Sequence, residues 1–340
     1  MHAADLDLPV RLEEALAVFL DARRAAAEAI DPAFGAAAGD LCEFVLGGGK
    51  RIRPTFAWWG WRGAGGDPDG PHVDAVLRSV AALELIQACA LVHDDLMDAS
   101  ATRRGRPRHA AAAILLGDLA LVWADDMLRG AGLDADAAAR AAAPWEAMRT
   151  EVLGGQYLDV FVQSTGDSSA RAALQIDRYK TAAYTVERPL HLGAAIAGAG
   201  SDLVACYRRF GADIGVAFQL RDDLLGVFGD PAVTGKPAGD DLREGKRTLL
   251  LALALERAAE RGSAAAVAEI EDAVGDPDLD DERLARVRDL LDELGAVQAV
   301  EQRIAALTGS ALDALGTGGV AEPAASRLAD LAVAATRRRR

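Results

Sequence analysis

Two runs of residues in this chain have side chains whose types and spacing suit one kind of chemistry. The first, Glu84 to His109, reads ELIQACALVHDDLMDASATRRGRPRH. It opens as an apolar helix and closes on Asp94, Asp95 and Asp98. Positions i and i+4 of a helix share a face, so Asp94 and Asp98 project together. Carboxylates so placed repel one another, and a hard cation such as Mg²⁺, completed by water and phosphate oxygens, removes that repulsion. Arg103, Arg104, Arg106 and Arg108 follow at once. Guanidinium groups match phosphate oxygens in pairs. Metal carboxylates followed by phosphate-binding arginines point to a metal–diphosphate site. Taken alone, the stretch also admits a plainer reading, a solvated acidic helix end followed by a basic loop.

The second run answers that alternative. Leu203 to Phe228 is another long apolar segment, and the chain there reads FQLRDDLLGVFGD, with Gln219, Asp222 and Asp223 on one face. The loop after it, PAVTGKPAGDDLREGKRT, offers Lys236, Asp240, Asp241, Lys246 and Arg247. Aspartate at a helix C-terminus opposes the helix dipole. Acid placed there twice, each time followed by cations, fits metal binding better than helix stability.

A third cationic stretch is Gly47 to Pro54, GGGKRIRP. Its glycines allow close backbone approach to a ligand, and Lys50, Arg51 and Arg53 sit beside a helix N-terminus, a natural anion site. The P-loop spacing is absent, and a basic turn between helices is the plain alternative. Gln87 shares the helix face of Asp94 and Asp98. Gln156 and Asp159 interrupt an apolar helix, and Lys180-Thr181 bring a cation and a hydroxyl into another. Asp125-Asp126 reads as an exposed helix face. Trp58, Trp59 and Trp61 read as packing residues, with a subunit interface as one place for them.

The elements that must hold these groups are helices. Periodicity and breakers predict helices over 12–30, 33–46, 72–98, 109–129, 146–161, 171–198 and 203–228, then polar–apolar helices to Ala335. No β pattern is present, so the fold class is all-α. The 340 residues are 51% hydrophobic and carry a net charge of −15. That acidity disfavours nucleic acid as a partner. Cys42, Cys89 and Cys206 form neither a zinc pattern nor a disulfide framework, which suggests a cytoplasmic protein. The N-terminus has no signal-peptide pattern, and no uninterrupted apolar run of membrane-spanning length is expected. Arg337 to Arg340 form a basic tail, read as a solubilising end or a lid.

The chain resembles the trans-isoprenyl diphosphate synthases, the polyprenyl synthetase family, and most of all the geranylgeranyl diphosphate synthases. The resemblance runs from Gly47 to Thr248 through GGGKRIRP, HDDLMD with TRRGRP, GGQYLD, YKTA, FQLRDD and TGKPAGDDLREGKRT, in the family's order. It implies one polyprenyl synthase domain over 1–340, a large helical bundle around a central cavity, the isoprenoid synthase fold. It implies a homodimer, and Mg²⁺ with three ions per active site. The reaction implied is head-to-tail condensation of isopentenyl diphosphate with an allylic diphosphate.

By the same resemblance Asp94, Asp98 and Asp222 are metal ligands, supported by Asp95 and Asp223. Arg103, Lys180 and Lys236 resemble contacts to the allylic diphosphate. Lys50, Arg53, Gln87 and Arg104 resemble the cradle for isopentenyl diphosphate, and Lys246 belongs to the substrate loop. Thr181 and Gln219 match positions that face the nascent carbocation. One departure is Gly226, where the family's second motif ends in aspartate. Cys89 and Ala90 occupy the positions where bulky aromatics shorten the product; both are small, which implies geranylgeranyl diphosphate. The alternatives are a farnesyl or longer-chain synthase, a class I terpene cyclase, and a non-catalytic synthase subunit.

Overall fold

The structure, a computed structural model, describes residues 2–97, 102–103, 106–107, 110–231 and 237–337. Asp98, Arg104, Arg108, His109, Lys236 and Arg338 to Arg340 lie outside the described residues. For Arg103 the backbone is described and the side chain is not.

The chain is built from helices: α1 (Ala3–Leu6), α2 (Leu8–Glu28), α3 (Pro32–Leu46), α4 (Ile52–Gly63), α5 (Val73–Met97), α6 (Ala110–Arg129), α7 (Ala135–Thr165), α8 (Ala170–Ile176), a π-helix (Asp177–Glu187), α9 (Arg188–Ala197) and α10 (Ser201–Phe228). After these come α11 (Asp240–Arg243), α12 (Leu249–Glu260), α13 (Ala264–Ala273), α14 (Asp281–Glu293), α15 (Ala296–Thr317) and α16 (Ala324–Thr336). The β structure among the described residues is one antiparallel pair of two-residue strands, Thr102–Arg103 with Arg106–Pro107. Helix-forming alanine and the 3.6-residue apolar period account for the rest.

Two compact units emerge, one made of residues 1–147, 188–205 and 319–327, the other of 148–187, 206–318 and 328–340. In the first, Leu12, Leu16 and Leu20 repeat every four residues along α2 and are fully buried, as are Leu83 and Leu85 of α5. Asp31 starts α3 by accepting from the Ala33 amide at 2.8 Å, with Pro32 in the first turn. Trp58, Trp59 and Trp61 are buried within this unit, and the Trp58 indole donates to Asp5. They are core residues, not an interface. The aspartates read as an exposed face are also otherwise engaged: Asp125 accepts from the Trp145 indole at 2.7 Å, and Asp126 meets Arg23 and Arg129.

α5 is long and apolar enough to cross a membrane by length and composition, but 72% of its most apolar stretch is buried in the fold. It is the core helix that carries the first acidic motif. In the second unit a core cluster joins Leu220 and Leu224 of α10 to Leu250 of α12, Ile270 of α13, Leu284 of α14 and Val300 of α15. This cluster fixes the C-terminal half of α10, and with it the second acidic motif.

Candidate active site

In the first unit the GGGKR loop turns into α4 through left-handed backbone. Gly48 and Gly49 have φ of 90° and 146°, and Arg51 has φ of 47°. A non-glycine residue at positive φ needs a compensating contact. Arg51 has one: its guanidinium is buried, donating to the Val45 carbonyl at 3.0 Å and to Glu84 of α5 at 2.7 Å. Arg51 thus ties the loop to α5, while Lys50 stays exposed and Arg53 half-buried in the first turn of α4. Breaking a buried pair leaves an uncompensated charge, a cost of about 3–5 kcal/mol. Arg51→Ala is therefore expected to lower the melting temperature, read by calorimetry.

Near its C-terminal end α5 presents Gln87, Ala90 and Asp94, all half-buried. Cys89 is buried, its Sγ 3.8 Å from His93 Nδ1. His93 in turn places Nε2 3.1 Å from the Ile114 carbonyl of α6, and it lies where a side chain at Gly117 would be. Burial, followed by the charge of Asp118, pushes the Cys89 thiol up to about 11. Cys89 is thus a neutral packing group. His93 is held by packing and a carbonyl, as a structural histidine should be.

In the second unit the π-helix runs along one stripe of α10: Gly211, Gly215, Gln219 and Asp223, spaced i, i+4, i+8 and i+12. The two glycines admit the π-helix backbone. A Cβ at Gly211 would meet Glu187, and one at Gly215 would lie 3.0 Å from the Ala182 carbonyl. Next along the stripe, Thr181 donates to Gln219 Oε1 at 2.7 Å, and Gln219 Nε2 donates to Asp223 Oδ1 at 2.6 Å. α7 approaches from another side, and a Cβ at Gly155 would sit 2.6 Å from Lys180 Cα. That contact sets Lys180 against Asp159, whose Oδ2 accepts from Nζ at 2.6 Å. Glu187, wholly buried, pairs with Arg178 and Arg208.

The acidic end of this unit is strained electrostatically. Burial, then Asp241, pushes Asp223 up to about 8, with Asp222 adding to the rise and Gln219 and Lys246 opposing it. Burial, then the charges of Asp223 and Asp159, drives Asp177 well above the ordinary carboxylate range. A carboxyl raised by folding binds its proton more tightly in the native state. Its contribution to stability is therefore full below the unfolded value, near pH 4, and is lost as the pH rises towards the folded value. In metal-free protein, melting temperature should fall more from pH 4 upward in the wild type than in Asp177→Asn; parallel curves would contradict this assignment.

Gly226 also finds its explanation. The Asp241 carboxylate lies where a side chain at Gly226 would begin, with Asp241 Cβ 3.1 Å from that point. A second carboxylate thus reaches this turn of α10 from α11. Lys246 bonds Asp241 at 2.9 Å and Glu244 at 2.6 Å. Burial works against its charge, but those two carboxylates hold it above the usual lysine range. Asp222 is half-buried beside these groups. Asp159 and Asp241 are the residues to which motif reading gave no role. Their signal was polarity in an apolar helix and a doubled aspartate in the cationic loop.

Residues 38–289 match the model of the polyprenyl synthetase family. The chain belongs to that family. Every stretch from GGGKRIRP to EGKRT lies inside the matched region. Among solved structures, the chain is similar to a geranylgeranyl pyrophosphate synthase from Corynebacterium glutamicum, determined with isoprenyl diphosphate and magnesium. The identity is 46%, over 98% of this chain and 99% of that one, with a TM-score of 0.93. It is 34% identical to a geranylfarnesyl diphosphate synthase of Aeropyrum pernix, over 78% of this chain and 82% of that protein. It is also 34% identical to a (2E,6E)-farnesyl diphosphate synthase of Mycobacterium bovis, over 84% of this chain and 78% of that one. These relatives carry three different product names, so membership alone leaves chain length open. The donor chemistry suits a divalent cation of the hard type. Asp94, Asp95 and Asp222 are half-buried carboxylates, and Mg²⁺ takes one or two such groups from a protein and the rest from water and phosphate.

Proposed function

We propose that this chain is a prenyl diphosphate synthase that condenses isopentenyl diphosphate with an allylic diphosphate, and that its main product is geranylgeranyl diphosphate. The observation that carries the reading is the polar stripe Thr181–Gln219–Asp223 beside Lys180 and Asp222: oxygen dipoles suited to a cation next to groups suited to a departing anion. No nucleophile–base pair is required, because ionisation of an allylic C–O bond needs stabilisation of the leaving diphosphate. By the family resemblance Asp94, Asp98 and Asp222 would hold Mg²⁺, three ions, and these would supply charge neutralisation at that diphosphate. Arg103, Lys180, Lys236 and the Lys246 loop bind the allylic diphosphate, and Lys50, Arg53, Gln87 and Arg104 bind isopentenyl diphosphate. Holding the two reactants in register replaces a bimolecular encounter. Thr181 and Gln219 direct oxygen lone pairs at the carbocation, and the released diphosphate takes the final proton.

The whole chain acts as one polyprenyl synthase domain, in a homodimer, in the cytoplasm. Ile114, Leu115 and Val122 leave an apolar strip exposed on α6 that such a dimer would cover. The small side chains of Cys89 and Ala90 support the longer product. Cys89→Phe combined with Ala90→Phe is expected to shift the main product to farnesyl diphosphate, and an unchanged chain length would refute the role given to this helix turn. The reaction itself is tested by incubating the protein with Mg²⁺, radiolabelled isopentenyl diphosphate and allylic primers of five, ten or fifteen carbons. A twenty-carbon diphosphate is expected from each; a product of fixed, different length would correct the assignment.

A further inference from the structure

The two neighbouring aspartates of the second motif are placed differently. Asp222 is half-buried, whereas Asp223 is 4% exposed and lies on the stripe that faces the π-helix. Asp223 Oδ1 accepts from Gln219 Nε2 at 2.6 Å, and Gln219 Oε1 accepts from the Thr181 hydroxyl at 2.7 Å. Each link constrains the next. The contacts turn the Gln219 NH₂ towards the Asp223 oxygen that accepts from it, and the amide oxygen towards Thr181. The Thr181 hydroxyl must then spend its proton on Gln219. What remains outward at Thr181 is a pair of oxygen lone pairs. If the amide were reversed, Thr181 would have to accept from Gln219 and its proton would point outward. The dipole offered to a neighbouring cation would change sign.

We propose that Asp223 is a positioning residue: it fixes the amide of Gln219, and through it the hydroxyl of Thr181, in the one polarity that stabilises a carbocation. This rests on the prenyl-transfer reading of the site and divides the second motif in two, with Asp222 serving the diphosphate end and Asp223 the cation end. It also accounts for the burial of Asp223 on the stripe that Gly211 and Gly215 open. A buried hydrogen-bonded chain of this kind specifies orientation as much as stability.

The test uses four variants of the full chain, read for kcat, for KM of both diphosphates, for the ratio of allylic alcohol to condensed product, and for thermal stabilisation by Mg²⁺ with inorganic pyrophosphate. Asp223→Asn keeps an acceptor oxygen and should hold kcat within about fivefold of the wild type. Asp223→Leu removes the acceptor and should lower kcat by about a hundredfold, the scale for losing one preorganised dipole. In that variant KM should stay within about threefold, the thermal stabilisation should persist, and more alcohol should escape. Gln219→Glu sets two carboxylates against each other and should fail similarly. Adding Asp223→Asn to it restores a donor, and the double variant should recover at least about tenfold over Gln219→Glu. This rescue does not depend on whether Asp223→Leu folds. The proposal is overturned if the double variant is no better than Gln219→Glu, or if Asp223→Leu abolishes the stabilisation by Mg²⁺ and pyrophosphate. A wild type that condenses nothing, yet is stabilised by Mg²⁺ with pyrophosphate, would instead defeat the prenyl-transfer reading and this proposal with it.

Discussion

Asp222→Asn is expected to lower kcat by about a thousandfold while leaving the fold intact. The residue is half-buried at the acidic end of α10 and belongs to no core cluster, so stability should change little. In the proposed reaction its carboxylate would hold the metal at the leaving diphosphate. Loss of one charged ligand removes about 4 kcal/mol of the several that such a metal contributes to the transition state, and each 1.36 kcal/mol is tenfold in rate. Far-ultraviolet circular dichroism and the metal-free melting temperature should match the wild type. The Mg²⁺ concentration for half-maximal rate should rise steeply. A kcat within tenfold of the wild type would show that Asp222 does not hold the metal.

Gly155→Val should produce the largest combined loss of stability and activity. A Cβ at position 155 would enter the backbone of Tyr179 and Lys180, and backbone cannot rotate away as a flexible side chain can. Overpacking of this kind costs about 1–3 kcal/mol, and more where both partners are main chain. α7 and the π-helix would separate, and the Lys180–Asp159 pair at 2.6 Å depends on that crossing. We expect a melting temperature a few degrees lower, about 1–2 °C per kcal/mol at this size. KM for the allylic diphosphate should rise by about tenfold or more. An unchanged KM would separate the crossing from the position of Lys180.

Much of this arrangement can be read from residue types alone. The end of α10 at Phe228 follows from apolar periodicity stopping at the second acidic motif, and Asp31-Pro32 announces the start of α3. The resemblance gave Thr181 and Gln219 one shared role, and the hydrogen bond between them is seen only in the structure. Other features need tertiary contact. Residues 171–198 read as one helix, but the segment divides into α8, the π-helix and α9, and the π-helix backbone lies against α10 at Gly211 and Gly215. α7 begins eleven residues before the expected Glu146, running through Pro144, where local propensity predicts an interruption. The use of Gly226 as an opening for Asp241 depends on a residue fifteen positions away packing against it, which no local pattern encodes. Charge also misled at Asp125 and Asp126, since an acidic pair on a helix reads as solvated until the Trp145 indole and two arginines are seen beside it.

The central claim is that this chain couples departure of an allylic diphosphate to attack by isopentenyl diphosphate. The most direct measurement is pyrophosphate release in the presence of Mg²⁺, with the allylic substrate alone and then with both substrates. The account predicts little release from the allylic diphosphate alone, and one pyrophosphate per isopentenyl diphosphate consumed when both are present, with a linear prenyl diphosphate as product. Rapid release from the allylic diphosphate alone, yielding a cyclic hydrocarbon, would contradict it.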